Sequence, residues 1–166
     1  MLEEMLFKKN DCFRRNMSIC FFIGHRDIPP SILPKLQEAV ERHITEYCVT
    51  EFVVGRYGSF DVLAAQTVRE AKQRHPEIRL TLLLPYYDPT KPLELPAGFD
   101  GSLYPDGLER IPRRVAIIHA NQYMIRHSNY LIAYDVGRIG NTRKLVEYAR
   151  HREDKGLIHV ENVAGV

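Results

Sequence analysis

Short, almost wholly apolar runs punctuate this chain and alternate with longer segments whose apolar residues return every three or four positions. Residues 18–23 (SICFFI), 51–54 (EFVV), 79–84 (RLTLLL), 131–133 (LIA) and 157–160 (LIHV) are the runs. They lack a strict in-and-out alternation, as strands covered on both faces do. After the first, Ile32, Leu36, Ala39, Val40, Ile44 and Tyr47 share one face of a helix opening at Ser31, with Pro34 in a first turn where a missing N–H costs little. A second helix runs through Val62, Leu63, Ala65, Val68 and Ala71, and a third spans Arg113–His127 behind Pro112. A fourth opens at Asn141-Thr142 and carries Leu145, Val146, Tyr148 and Ala149. In the second helix Ser59 has the chemistry of an N-cap, and Asp61 suits the helix dipole or, alternatively, contacts a ligand. Strands alternating with helices predict an α/β fold in three layers, with a mostly parallel central sheet of about five strands.

Two segments stand outside this rhythm. Residues 1–16 mix charges without periodicity and read as a flexible N-terminal arm, leaving 17–166 as one domain. Residues 86–112 carry prolines at 89, 92, 96, 105 and 112 and glycines at 98, 101 and 107, which excludes a long regular element. A loop of that length in a compact domain is functional or disordered. Its Tyr86, Tyr87 and Tyr104 form either an aromatic wall for a flat ligand or the packing that pins the loop.

At 166 residues and 45% hydrophobic, the chain has enough apolar mass for one core. A net charge of +2 argues against a protein devoted to coating nucleic acid. Cys12, Cys20 and Cys48 make no CxxC and no paired framework, so buried free thiols in a reducing cytoplasm are expected. No metal or further cofactor is expected from them. No apolar run reaches the roughly 18 residues that span a bilayer, so no membrane is expected as a partner.

Right-handed crossovers place every strand-to-helix turn on the carboxyl rim of a parallel sheet, where ligands of such sheets sit. Three of these turns carry glycine: Gly24-His25-Arg26; Gly55-Arg56-Tyr57-Gly58-Ser59; and Asp135 through Gly137, Arg138, Gly140, Asn141 and Thr142. Glycine allows close backbone approach, and the first N–H groups of a helix point outward without internal partners, so each turn suits an anion. Arg56 and Arg138 either pair with a phosphate or stand as exposed loop charges. His25 and Asp135 are the acid–base candidates. Alternatively, His25 bonds backbone and Asp135 caps its turn.

With these residues in hand, the chain resembles the SLOG superfamily, the Rossmann-like group that includes DNA-processing protein A and the Lonely guy phosphoribohydrolases. The resemblance rests on strand–Gly-His-Arg, on strand–GxxGxxD–helix with Ala64-Ala65, on a helix holding Asn121 and Met124, and on strand–LIAY–Gly-x-x-Gly-Asn-Thr. It spans residues 19–160. It implies a Rossmann-like fold, a nucleotide-like ligand touching these turns and Asn121, and self-association into a homo-oligomer. The chain departs from the family at Arg56 and Arg138, which replace the second glycine of a pair, at Gln66, where an acid is common, and at Leu145. In the phosphoribohydrolases a catalytic glutamate stands at the place of Leu145, and Glu147 faces another side of the helix.

Three functions follow as expectations. The first is a nucleotide-binding or nucleotide-sensing module. The second is a hydrolase cleaving an N-glycosidic or phosphoester bond of a nucleotide-derived substrate through His25 and Asp135. The third is single-stranded DNA binding through Arg26, Arg56, Arg113, Arg114 and Arg138, which the small net charge disfavours.

Overall fold

The computed structural model describes residues 17–165. The expected arm, 1–16, lies outside the described residues. Six strands form one all-parallel sheet: β1 (Ile19–Gly24), β2 (Glu51–Val54), β3 (Arg79–Leu83), β4 (Gly101–Leu103), β5 (Tyr130–Tyr134) and β6 (His159–Asn162), ordered β4-β3-β2-β1-β5-β6. Four helices complete the domain: α1 (Leu33–Thr45), α2 (Ser59–Arg74), α3 (Arg113–His127) and α4 (Asn141–Asp154). The fold is the expected Rossmann-like α/β sandwich.

Alternate strand residues feed opposite faces, which is how one sheet serves two cores. Cys20, Phe22, Phe52, Val54, Leu80 and Ile132 pack under α1 and α2, through Leu36, Val40, Phe60, Ala64 and Val68. Phe21, Ile23, Val53, Leu131 and Ala133 pack under α3 and α4, through Ala120, Met124, Leu145 and Val146. Because both faces are covered, the strands read as continuous apolar runs.

The sixth strand comes from the proline-rich segment, whose composition excludes a long regular element but not one of three residues. β4 pairs with β3 over Thr81–Leu83, and the segment before it is tied to α2. Arg69 donates to the Ala97 carbonyl at 3.1 Å, Lys72 to that of Gly98 at 3.2 Å, and the Asp100 carboxylate accepts the Leu80 N–H at 2.8 Å. A three-residue strand held by side chains of a distant helix leaves no periodicity to read.

Smaller shifts have local causes. A 3-10 turn, Pro30–Ile32, precedes α1, so the regular helix starts at Leu33 rather than Ser31. The last strand runs two residues beyond the expected 157–160, and Leu157 stays exposed. Cys20 is a buried free thiol, but Cys48 is disulfide-bonded, against the expectation of free thiols throughout. Cys48 also has φ 58°, in the left-handed region at the end of α1, where the Val49 N–H bonds the His43 carbonyl at 2.9 Å. Among the described residues, no helix is long and apolar enough to cross a membrane.

The tightest point of the fold is where β1 ends. A Cβ added to Gly24 would lie 2.2 Å from the Phe60 ring of α2. Gly24→Ala is therefore expected to destabilise the protein by about 2–3 kcal/mol or more through overpacking, read as a lower urea midpoint. Gly137→Ala, whose Cβ would meet nothing within 4 Å although φ is +82°, is expected to cost about 1–2 kcal/mol from backbone strain alone.

Candidate functional site

The strand order reverses between β1 and β5, and all the strand ends lie on one rim. On the α3–α4 side of that rim the chain encloses a cavity of about 200 Å³. The first turn contributes Gly24 and Arg26, the second Gly55 and Tyr57, and the third Asn141 and Thr142. Pro85 and Leu83 line it from the end of β3, and Arg114, Ile117, Ile118 and Asn121 from α3. The three glycine turns thus meet around one hollow, with Asn121 beside them.

Two helices open at this hollow. α2 starts behind Gly58 and α4 behind Gly140, and neither N-cap makes a side-chain hydrogen bond. Ser59 is not the expected N-cap but the first helical residue. Its hydroxyl donates to the Arg26 carbonyl at 2.8 Å and accepts the Ile28 N–H at 3.1 Å. Ser59 therefore ties the second turn to the first. Asn141 and Thr142 likewise occupy the first helical positions of α4, and the Thr142 hydroxyl reaches the Gly24 carbonyl at 3.5 Å. Two uncapped helix starts give the cavity orphan N–H groups and a positive local potential.

The glycines have two distinct jobs. Gly24 and Gly58 make room for protein: added Cβ atoms would meet Phe60 and, at 2.7 Å, the Arg26 Cα. Gly137 and Gly140 supply left-handed backbone, with φ +82° and +151°. The third turn carries Ile139, 94% exposed, together with exposed Val136 and Arg138.

His25, Asp135, Arg56, Gly58, Ser59, Gly137, Arg138 and Gly140 lie outside the cavity lining. Nε2 of His25 accepts the Val136 N–H at 3.1 Å, and burial lowers its imidazole below the usual value, with the Asp135 carboxylate pulling the other way. His25 is thus a neutral pin for the third turn. Asp135 Oδ1 accepts the Gly137 N–H at 2.9 Å, while the Asn162 side chain bridges the Asp135 N–H and carbonyl at 3.1 and 2.8 Å. Each acid–base candidate thus has one polar atom, His25 Nε2 or Asp135 Oδ1, engaged by a backbone N–H. Arg56 and Arg138 are exposed on the rim, and the cations that line the cavity are Arg26 and Arg114.

The tyrosines of this segment all pack on protein groups. Tyr86 meets Tyr57 edge to face at 6.3 Å, and the Arg113 guanidinium lies 4.5 Å from the Tyr86 ring centre, beside the cavity. Tyr87 and Tyr104 pack on one another at 5.9 Å.

Asp61 is the residue that sequence reasoning underweighted. It lines the cavity, and its Oδ2 accepts the Tyr57 N–H at 3.0 Å in a reach-back resembling a capping box. Gly55 leaves room for this carboxylate, since a Cβ on it would lie 3.0 Å from Oδ2. Burial pushes the Asp61 carboxyl up to about 6, and the Tyr57 N–H only partly offsets this. The signal was present in Gly-x-x-Gly-x-x-Asp (residues 55–61), but that spacing serves a cap equally well. Among the described residues no group of three or more His, Cys, Asp or Glu is placed to hold a metal ion.

With this geometry in view, comparison with known proteins adds the fold's relatives. No protein-family model matches the chain, and no curated protein matches it. DNA processing protein A from Streptococcus pneumoniae superposes with TM-score 0.55 at 10% identity, covering 89% of this chain and 59% of that one. The Moco carrier protein of Chlamydomonas rheinhardtii superposes with TM-score 0.51 at 18% identity, covering 90% and 93%. The chain shares a Rossmann-like fold with these two proteins. It spans about three-fifths of the DNA processing protein A chain, and at these identities the likeness concerns the fold alone.

Asp61 generates a test that needs no ligand. A carboxyl whose folded-state value is raised binds its proton more tightly in the native state than in the unfolded chain, so stability falls as pH rises from about 4 to about 6. Above that window the charged, desolvated carboxylate weakens the fold. Asp61→Asn keeps an acceptor for Tyr57 and cannot ionise. It is expected to match the wild type near pH 4 and to exceed it by about 2–3 kcal/mol near pH 8, read from urea unfolding at each pH. A constant difference across that range would show that Asp61 does not titrate there.

Proposed function

We propose that this protein binds a nucleotide or nucleotide-derived, phosphate-bearing ligand in the rim cavity and acts as a binding or sensing module. The observation that carries the reading is the meeting of two uncapped helix starts with Arg26 and Arg114 around one hollow. Orphan N–H groups, helix dipoles and guanidinium forks all favour a phosphate over neutral or cationic ligands. At about 200 Å³ the cavity is smaller than the roughly 300–1,000 Å³ of pockets for drug-sized molecules, which fits a phosphate with its sugar. A base would then lie at the mouth, beside Tyr57 and Tyr86.

A hydrolytic reading has one observation in its favour: Asp61, with its carboxyl near 6, faces the same cavity. In that reading Asp61 serves as the acid or base, in place of His25 and Asp135. Single-stranded DNA binding has less support, since the cavity suits a mononucleotide-sized fragment and the net charge is only +2. Self-association belongs to the proposal through the family resemblance, and a cytoplasmic setting through the buried free thiol of Cys20, with the Cys48 disulfide counting against it.

Thermal unfolding against a panel of inorganic phosphate, pyrophosphate, nucleoside monophosphates and sugar phosphates tests the reading. A member present at 100 times its Kd is expected to add about 2.7 kcal/mol of stability. Arg114→Ala is expected to weaken binding by about 10-fold or more, the worth of a charge-assisted hydrogen bond. No shift with any phosphate-bearing compound, or the same affinity in Arg114→Ala, overturns it.

A further inference from the structure

Resting on the phosphate-binding reading above, we infer that the ligand of this cavity also presents a hydrogen-bond donor, and that Asp61 Oδ1 accepts it. The donor is a hydroxyl of a phosphorylated sugar, either free or within a nucleoside monophosphate.

The charges around the cavity are not balanced. Everything else polar that approaches the cavity suits an anion: Arg26, Arg114, and the opening turns of α2 and α4. A carboxylate among them repels the very ligand they attract, unless it meets something else. Asp61 has no cation within reach that would neutralise it. The influences on its carboxyl are burial, which raises it, and the Tyr57 N–H, which lowers it. Its one hydrogen bond among the described residues uses Oδ2, leaving Oδ1 without a protein partner.

The protein also keeps Asp61 in place at a cost. Gly55 is bare where any side chain would press on Oδ2, and Tyr57 is bent so that its N–H holds that oxygen. One oxygen is thus clamped while the other stays open for a ligand. In a partly dry site an unmet acceptor discriminates strongly, because a ligand lacking the donor leaves the carboxylate unpaired. The other charged or titratable groups lining the cavity are Arg26, Tyr57 and Arg114, and none of them accepts a hydrogen bond as a carboxylate does. Asn121 and Asn141 have amide oxygens, but these are neutral.

The geometry therefore describes a ligand with two ends. A phosphate meets the helix starts and the arginines, and a hydroxyl a few bonds away meets Asp61. Ribose phosphates have this form, and inorganic phosphate and pyrophosphate do not.

Isothermal titration with adenosine monophosphate, its 2′,3′-dideoxy analogue, ribose 5-phosphate and pyrophosphate tests this on the wild type and on Asp61→Asn. The wild type is expected to bind adenosine monophosphate about 10- to 100-fold more tightly than the dideoxy analogue, the worth of a hydrogen bond to a charged group. In Asp61→Asn that preference is expected to collapse to within a few-fold, while pyrophosphate binds as well as or better than before. Equal gain from ribose 5-phosphate assigns the contact to a free sugar phosphate, and its failure beside a tight adenosine monophosphate assigns it to a nucleotide. Equal binding of the hydroxylated and dideoxy compounds to the wild type, or an unchanged preference in Asp61→Asn, overturns the inference and leaves the phosphate reading standing. Failure of all four probes overturns both.

Discussion

The rim is organised by the contact between α2 and the end of β1. Gly24 lies against the Phe60 ring with no space for a methyl group, Gly58 lies against the Arg26 backbone, and the Ser59 hydroxyl bonds both sides of the first turn. These three adjacent contacts lock the end of β1 to the start of α2. Once they are made, the opening turn of α2 faces the rim, Asp61 swings into the cavity, and the Gly24 carbonyl is left to meet Thr142. Close packing transmits position here because the interior has no slack to absorb a displaced ring or carbonyl.

A second, looser device positions the third turn. His25 accepts the Val136 N–H, Asp135 caps Gly137, and Asn162 from β6 brackets Asp135. Polar side chains that look catalytic on a sequence are here the fasteners of a glycine-bearing loop. Their geometry delivers the start of α4 to the cavity while leaving Val136 and Ile139 exposed at the rim. The two devices differ in kind: one is steric and two-sided, the other a network of hydrogen bonds around mobile-friendly backbone.

The cavity holds opposed electrostatic demands within one small volume. Helix starts and arginines lower the energy of an anion, and a desolvated carboxylate raises it. Such an arrangement is costly when empty and selective when filled. The rise of the Asp61 carboxyl to about 6 expresses that cost in the fold itself. Its relatives in fold share the sheet and the crossovers, and the chemistry of the hollow is set by this chain's own residues.

The amino-acid sequence alone determined the layers, because an apolar run covered on both faces and a helix with one apolar stripe each leave a repeating pattern in their own residues. Five of six strands, four helices and the three glycine turns were readable for that reason. It also marked the rim, since right-handed crossovers leave parallel strands only one edge for their turns. What only the tertiary structure decided was which polar atoms were already taken. His25 Nε2 was bound by a backbone N–H 111 residues away, Arg114 came to the cavity from another helix, and β4 formed where Arg69 and Lys72 held the chain before it. Contacts across such separations depend on where the packed sheet brings segments together, and a local pattern of residue types carries no record of that distance.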